Sequence, residues 1–180
     1  MKKKNIKSGW CIIIYGFSGA GKSEIAKRLK KKIQKKIGKT ILIDGDGLRN
    51  FLSKIGLKFG FSRKERDRAV IPKIELFKLI LDNNINIIYP TIMLGHSKNV
   101  IKQWDKEIKN LFKIYIRTDL DKIIKFGKRK KIYSKKNIVG LDIKPNFPNK
   151  PNIIIDNNFD KKLEKISNEI FITLNKQIKF

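Results

Sequence analysis

Residues 14–24 read IYGFSGAGKSE: the end of an apolar run, then three glycines, Lys22 and Ser23 within eight positions. Gly16, Phe17, Ser18, Gly19, Ala20, Gly21, Lys22 and Ser23 fit the spacing G-x-x-x-x-G-K-[ST]. Glycines at these places let backbone N–H groups turn inward around phosphate oxygens, and a helix beginning at Lys22 adds its positive end. Lys22 is then placed to reach the β- and γ-phosphates and Ser23 to hold Mg²⁺. All eight residues are therefore expected to bind ATP, with Lys22 catalytic and Ser23 the metal ligand.

The surroundings have the context that this motif requires. Trp10–Tyr15 reads as a strand, and Ile25, Leu29 and Ile33 mark one face of a helix from Lys22 to about Lys36, closed by Gly38. Further strands are expected at KTILI, NINIIYPTI, LFKIYIRT and IIIDN. Between them lie a short helix over 48–55 and a helix over 63–83, capped by Ser62 and started, kinked or divided by Pro72. A third helical pattern covers 97–110, a fourth runs to Phe126 from a Thr118 or Asp119 cap, and a last one runs from an Asp160 cap to about Gln177. Strands alternating with helices predict an α/β fold: a three-layer sandwich with a five-stranded parallel sheet, helices on both faces, and one domain over 1–180. Residues 1–9 are expected to form a short basic tail. Residues 128–152 lack periodicity and predict a long mobile loop.

Composition narrows the classes. The chain has 180 residues, 41% of them hydrophobic, enough for one core and against disorder. Lys and Arg number 43 against 16 Asp and Glu, a net charge of +27. Only seven of the 43 are arginine, and the lysines are spread along the whole chain, so the charge reads as compositional bias rather than a nucleic-acid-binding patch. Cys11 is the one cysteine, which rules out an internal disulfide and points to a reducing compartment and a buried thiol. With a single His besides, a zinc site is excluded. His96 reads as a loop residue and Trp104 as core. No apolar stretch reaches membrane-spanning length, and the expected location is the cytoplasm.

A second motif, DGDGLR at 44–49, lies at the carboxyl end of the second strand, the edge where open α/β sheets bind ligands. Asp44 and Asp46 are expected to face the phosphates, one of them orienting or deprotonating an acceptor hydroxyl. Taken in order, GFSGAGKSE, DGDGLR, FGFSRKER and IVGLDI resemble the adenylylsulfate kinases over about residues 10–158. The resemblance implies a P-loop kinase in which ATP and Mg²⁺ phosphorylate the 3′-hydroxyl of adenosine 5′-phosphosulfate in sulfate assimilation. It also implies that Asp46 is catalytic and that Arg49 and Arg66 bind the acceptor. Phe61 would stack on the acceptor base, 128–152 would be a closing lid, Arg129 a candidate ATP-binding arginine, and the assembly a homodimer. Asp44 and Ile138 complete the expected acceptor set.

The chain departs from the family pattern on the acceptor side. Ala69 stands where an asparagine is usual, Met93 replaces a strand-end serine, and Ile138 replaces the second aromatic of a base sandwich. The lid is shortened around Arg129, and there are extra residues between Asp46 and Phe61. KNIVGLDI before a proline-rich stretch is similar to a capsule-biosynthesis branch of the family that phosphorylates cytidine diphosphoramidate. That acceptor stands as an alternative. An ATP-binding sensor or scaffold without kinase activity is the alternative from another class, and a basic RNA-associated P-loop protein is a third.

Overall fold

A computed structural model describes residues 8–126, 138–148 and 150–178. Five strands form one parallel sheet in the order β2-β3-β1-β4-β5: β1 Cys11–Tyr15, β2 Thr40–Leu42, β3 Asn86–Thr91, β4 Leu111–Arg117 and β5 Ile153–Asp156. The helices are α1 Lys22–Ile37, α2 Gly45–Lys54, α3 Arg63–Arg68, α4 Val70–Asp82, α5 Lys98–Glu107, α6 Leu120–Phe126 and α7 Leu163–Gln177. The expected fold and its order of elements are both present.

Strand β1 is central, paired with β3 on one side and β4 on the other, and every residue in it is buried. Successive side chains of a strand point to opposite faces, so an unbroken apolar run suits a strand covered on both. Ile12 and Ile14 join the core made with Ile25, Leu29 and Ile33 of α1 and Ile166, Ile170 and Leu174 of α7. Cys11, Ile13 and Tyr15 face the other way, onto Leu48 of α2, Ile74 and Phe77 of α4 and Trp104 of α5. Trp104 is core, as its spacing predicted; its ring stacks on Tyr89 and its Nε1 donates to the Leu94 carbonyl at 2.8 Å. Burial pushes the Cys11 thiol far above its ordinary pKa.

The chain leaves β1 for α1 on one face and leaves the neighbouring β3 for α5 on the opposite face. Diverging connections open a crevice at the carboxyl ends of these strands, and both sequence motifs lie there. Pro90, inside β3, is tolerated because β2 ends its pairing opposite Ile88, leaving no ladder partner on that side to miss an N–H.

Several boundaries differ from expectation for local reasons. Helix α2 begins at Gly45, not Leu48, because Asp44 caps it: its carboxylate accepts from the Asp46 and Gly47 amides. The 63–83 segment divides at Ala69 rather than at Pro72. Pro72 is the third residue of α4, where the missing N–H would have had no intrahelical partner. Helix α7 has Lys162 at its N-cap position with no side-chain cap, so Asp160 does not cap it. At α6 the Asp119 carbonyl accepts the Ile123 N–H, whereas the buried Thr118 hydroxyl has no partner among the described residues.

Candidate active site

The phosphate loop is shaped by close backbone approaches. Gly16 has φ 144°, and a Cβ there would stand 2.4 Å from the Ile116 carbonyl oxygen, so only glycine fits. Gly21 takes the left-handed conformation at the N-cap of α1 and carries no side chain to satisfy the first amides of the helix. Those amides and the helix dipole are what a phosphate would meet. Lys22 is buried, and its Nζ donates to the Phe17 carbonyl at 2.6 Å, which holds the ammonium across the loop.

One cavity of about 770 Å³ runs from this loop to residues of α2, α3 and α4. Its size suits a small-molecule site. On the loop side Ser18, Gly19, Gly21, Lys22 and Ser23 line it. Of the expected ATP residues, Gly16, Phe17 and Ala20 do not. Gly16 makes the turn, Ala20 is core, and the Phe17 ring packs edge-on against Phe147 at 5.4 Å. Arg129 lies outside the described residues.

Asp44, Asp46, Arg49, Phe61, Arg66 and Ile138, the expected acceptor set, all line the same cavity. Asp44 spends its carboxylate on the α2 cap, with 3.2 Å to the Asp46 amide and 3.3 Å to Gly47. That cap starts the helix so that Asp46 stands in its first turn and Arg49 one turn on, both towards the cavity. Asp46 is exposed there, at the positive end of the helix.

Residues 59–61 anchor both arginines. Arg49 Nη1 donates to the carbonyls of Phe59 (2.6 Å) and Gly60 (2.8 Å), and its guanidinium lies 4.4 Å from the centroid of Phe61. Arg66 Nε donates to the Phe61 carbonyl at 2.8 Å, its guanidinium carbon 5.8 Å from the same centroid. Burial and the adjacent Arg49 pull the Arg66 guanidinium below its ordinary pKa. The loop itself is fixed by a capping box. Ser62 accepts from the Glu65 amide, and Glu65 accepts from the Ser62 hydroxyl and the Gly60 amide.

Three further residues shape the site without having been expected there. Asn157, buried at the end of β5, donates to the Ala20 carbonyl at 3.1 Å and so braces the phosphate loop from beneath. Asp67 accepts from the His96 and Ser97 amides and the Ser97 hydroxyl, tying α3 to the loop before α5. Burial pushes the Asp67 carboxyl up, but these hydrogen bonds outweigh it and leave the group below the ordinary aspartate range. Lys73 of α4 lines the cavity beside the arginines; burial first, then Arg49 and Arg66, pull its ammonium down to about 8. Asn157 and Asp67 adjoin quoted motifs, but Lys73 sits in a helix whose lysines look alike in sequence. His96 is half-buried and does not line the cavity; its Nδ1 is without a partner among the described residues.

The described part of the 128–152 loop is packed. Ile138 O accepts from the amides of Leu141, Asp142 and Ile143, and Asp142 returns a carboxylate oxygen to the Ile138 amide. Val139 and Ile143 are buried against Met93. Gly140 (φ 106°) rests so close to Phe17 that a Cβ would stand 2.9 Å from its ring. The segment is thereby docked on the phosphate loop, with Ile138 at the cavity wall.

The sequence profile of the family described as "Adenylylsulphate kinase" matches residues 8–156. The chain is 29% identical over 167 residues to a cytidine diphosphoramidate kinase of Campylobacter jejuni, covering 87% of this chain and 94% of that one. It is 30% identical over 151 residues to a probable adenylyl-sulfate kinase of Archaeoglobus fulgidus, covering 81% and 94%. In fold it is similar to the Mycobacterium tuberculosis APS kinase solved in complex with AMPPNP and APS. The TM-score is 0.73 at 21% identity, over 93% of this chain and 98% of that one.

Proposed function

The chain belongs to the adenylylsulphate kinase family and is an ATP-dependent phosphotransferase; from that premise we propose that its acceptor is adenosine 5′-phosphosulfate, phosphorylated at the 3′-hydroxyl. The observation that supports this reading is that one cavity joins Lys22 and Ser23 to Asp46, Phe61 and the two arginines. Donor and acceptor would meet end to end within it. The acceptor oxygen forms a bond to the γ-phosphorus, the bond from that phosphorus to the β–γ bridging oxygen breaks, and ADP leaves. Asp46 orients the hydroxyl and takes its proton. Phosphoryl transfer rests chiefly on positioning and charge neutralisation, and Lys22 with the α1 amides supplies both on the donor side.

The Ser23 hydroxyl lines the cavity and is a suitable donor for Mg²⁺. No cluster of three His, Cys, Asp or Glu residues exists among the described residues, so ATP oxygens and water would complete the shell. When bound, the ion would neutralise charge on the transferring phosphate. Within the same proposal the enzyme serves sulfate assimilation in the cytoplasm as a homodimer. No helix of the described residues is long and apolar enough to cross a membrane.

A second reading, cytidine diphosphoramidate as acceptor, is favoured by Ile138. Phe61 is the ring beside the two arginines, and Ile138 puts an aliphatic side chain at the cavity wall where the family pattern has a second aromatic. Loss of one base-stacking partner costs roughly 1–3 kcal/mol, a smaller handicap for a pyrimidine, which has less face to stack. Acceptor-dependent ADP release, measured with each of the two acceptors, tests both. Faster release with adenosine 5′-phosphosulfate supports the first reading, faster release with cytidine diphosphoramidate the second, and release with neither contradicts both acceptors.

A further inference from the structure

Three cationic side chains from three helices line the acceptor end of the cavity: Arg49 of α2, Arg66 of α3 and Lys73 of α4. Of the acids nearest to them in sequence, Asp46 lines the same cavity and the others are committed elsewhere. Asp44 caps α2, Glu65 holds Ser62 and Gly60, and Asp67 holds the 96–97 loop. Lys73 has no ion pair or hydrogen bond among the described residues. A half-buried ammonium beside two guanidinium groups is repelled by both and only partly hydrated, and its lowered pKa reflects that cost. Such an arrangement is relieved by an anion in the cavity.

Both arginines already lie against Phe61, so a single negative charge would be matched without a third cation. We propose that Lys73 is a third cationic ligand of the acceptor and makes the site select nucleotides whose 5′ group carries two adjacent negative charges, as a mixed phosphoanhydride does. This inference rests on the kinase reading above and deepens it. Acceptors with one charged group, or with a neutral alcohol alone, would leave Lys73 uncompensated.

The test is equilibrium binding of adenosine 5′-phosphosulfate and of cytidine diphosphoramidate to wild type, Lys73→Met and Lys73→Arg. Each is measured with ADP present, with ATP affinity and melting temperature alongside. The expected result is acceptor affinity lowered about tenfold or more in K73M, the scale of a lost hydrogen bond to a charged group. Affinity in K73R should stay near wild type, ATP affinity should be unchanged in both, and the melting temperature of K73M should not fall. A purely structural lysine would lower the melting temperature and weaken both ligands together, which would overturn the inference. In the wild type alone, adenosine 5′-phosphosulfate should outcompete the singly charged methyl ester of adenosine 5′-phosphate by a similar factor; equal affinity overturns the charge selection whether or not K73M folds. Acceptor binding by the wild type that K73M leaves intact sinks this inference but not the kinase reading. A wild type that binds neither acceptor sinks both.

Discussion

The donor end and the acceptor end of the cavity are built from different materials. The donor end is mostly backbone: a glycine turn pressed against the Ile116 carbonyl, an uncapped helix start, and Lys22 held over the loop by the Phe17 carbonyl. The acceptor end is mostly side chains from three helices, oriented by the carbonyls of residues 59–61 and by one capping box. Backbone geometry is the same whichever ligand approaches, whereas a side-chain pocket can be retuned one residue at a time. The phosphate loop keeps its family pattern while Ala69, Met93 and Ile138 depart from it; Met93 and Ile138 line the cavity, and Ala69 is buried beside it without lining it.

That contrast breaks first at Lys22. Lys22→Ala should lower turnover by about 10³-fold or more with any acceptor, since it removes the main side-chain charge on the transferring group; steady-state kinetics with saturating ATP check this. Asp46→Asn comes next: kcat should fall by roughly 10²–10⁴-fold, the usual range for a lost general base, while ATP affinity by calorimetry stays within about twofold. A change in ATP binding alone would contradict the role of Asp46. Phe61→Ala should leave ATP kinetics alone and raise the acceptor KM by about 5- to 150-fold, the equivalent of roughly 1–3 kcal/mol of stacking. Ile138→Phe sharpens the comparison from the other side, shifting the ratio of kcat/KM values towards the adenine acceptor by supplying the missing ring.

The smallest effect expected is at Asp67. Its folded-state pKa lies below the ordinary aspartate value, so the stability that it contributes is full above that value and is lost as pH falls through the depressed one. Acidification below about pH 4 should therefore lower the melting temperature of wild type more than that of Asp67→Asn. The substitution should also raise the acceptor KM a few-fold by loosening α3. An ATP effect of equal size would show that the two ends are not separable.

Legibility in sequence follows the same division. The strands could be read because a sheet covered on both faces demands continuous apolar runs, and CIIIY, NIIYPT and LFKIYIR supply them. The phosphate loop could be read because glycine is the only residue that fits its turns. Asp46, Arg49, Phe61 and Arg66 were accessible through the family pattern, and they share one cavity. What could not be read depends on contacts distant in the chain. Asn157 reaches Ala20 across 137 residues, and Asp67 reaches Ser97 across 30. Lys73 differs from neighbouring lysines only in the cavity that it faces. Division of the 63–83 segment at Ala69 places Pro72 in the first turn of α4, as a residue that clashes with the carbonyl four positions before it requires.

The most direct test of a single cavity coupling donor to acceptor is transfer of labelled γ-phosphate from ATP to adenosine 5′-phosphosulfate or cytidine diphosphoramidate in a single turnover. Wild type and Asp46→Asn would be compared at equal ATP occupancy. Label appearing in the acceptor with wild type, and slowed by at least about a hundredfold in D46N, is the predicted result. Label released only as inorganic phosphate, or transferred equally well by both proteins, would contradict it.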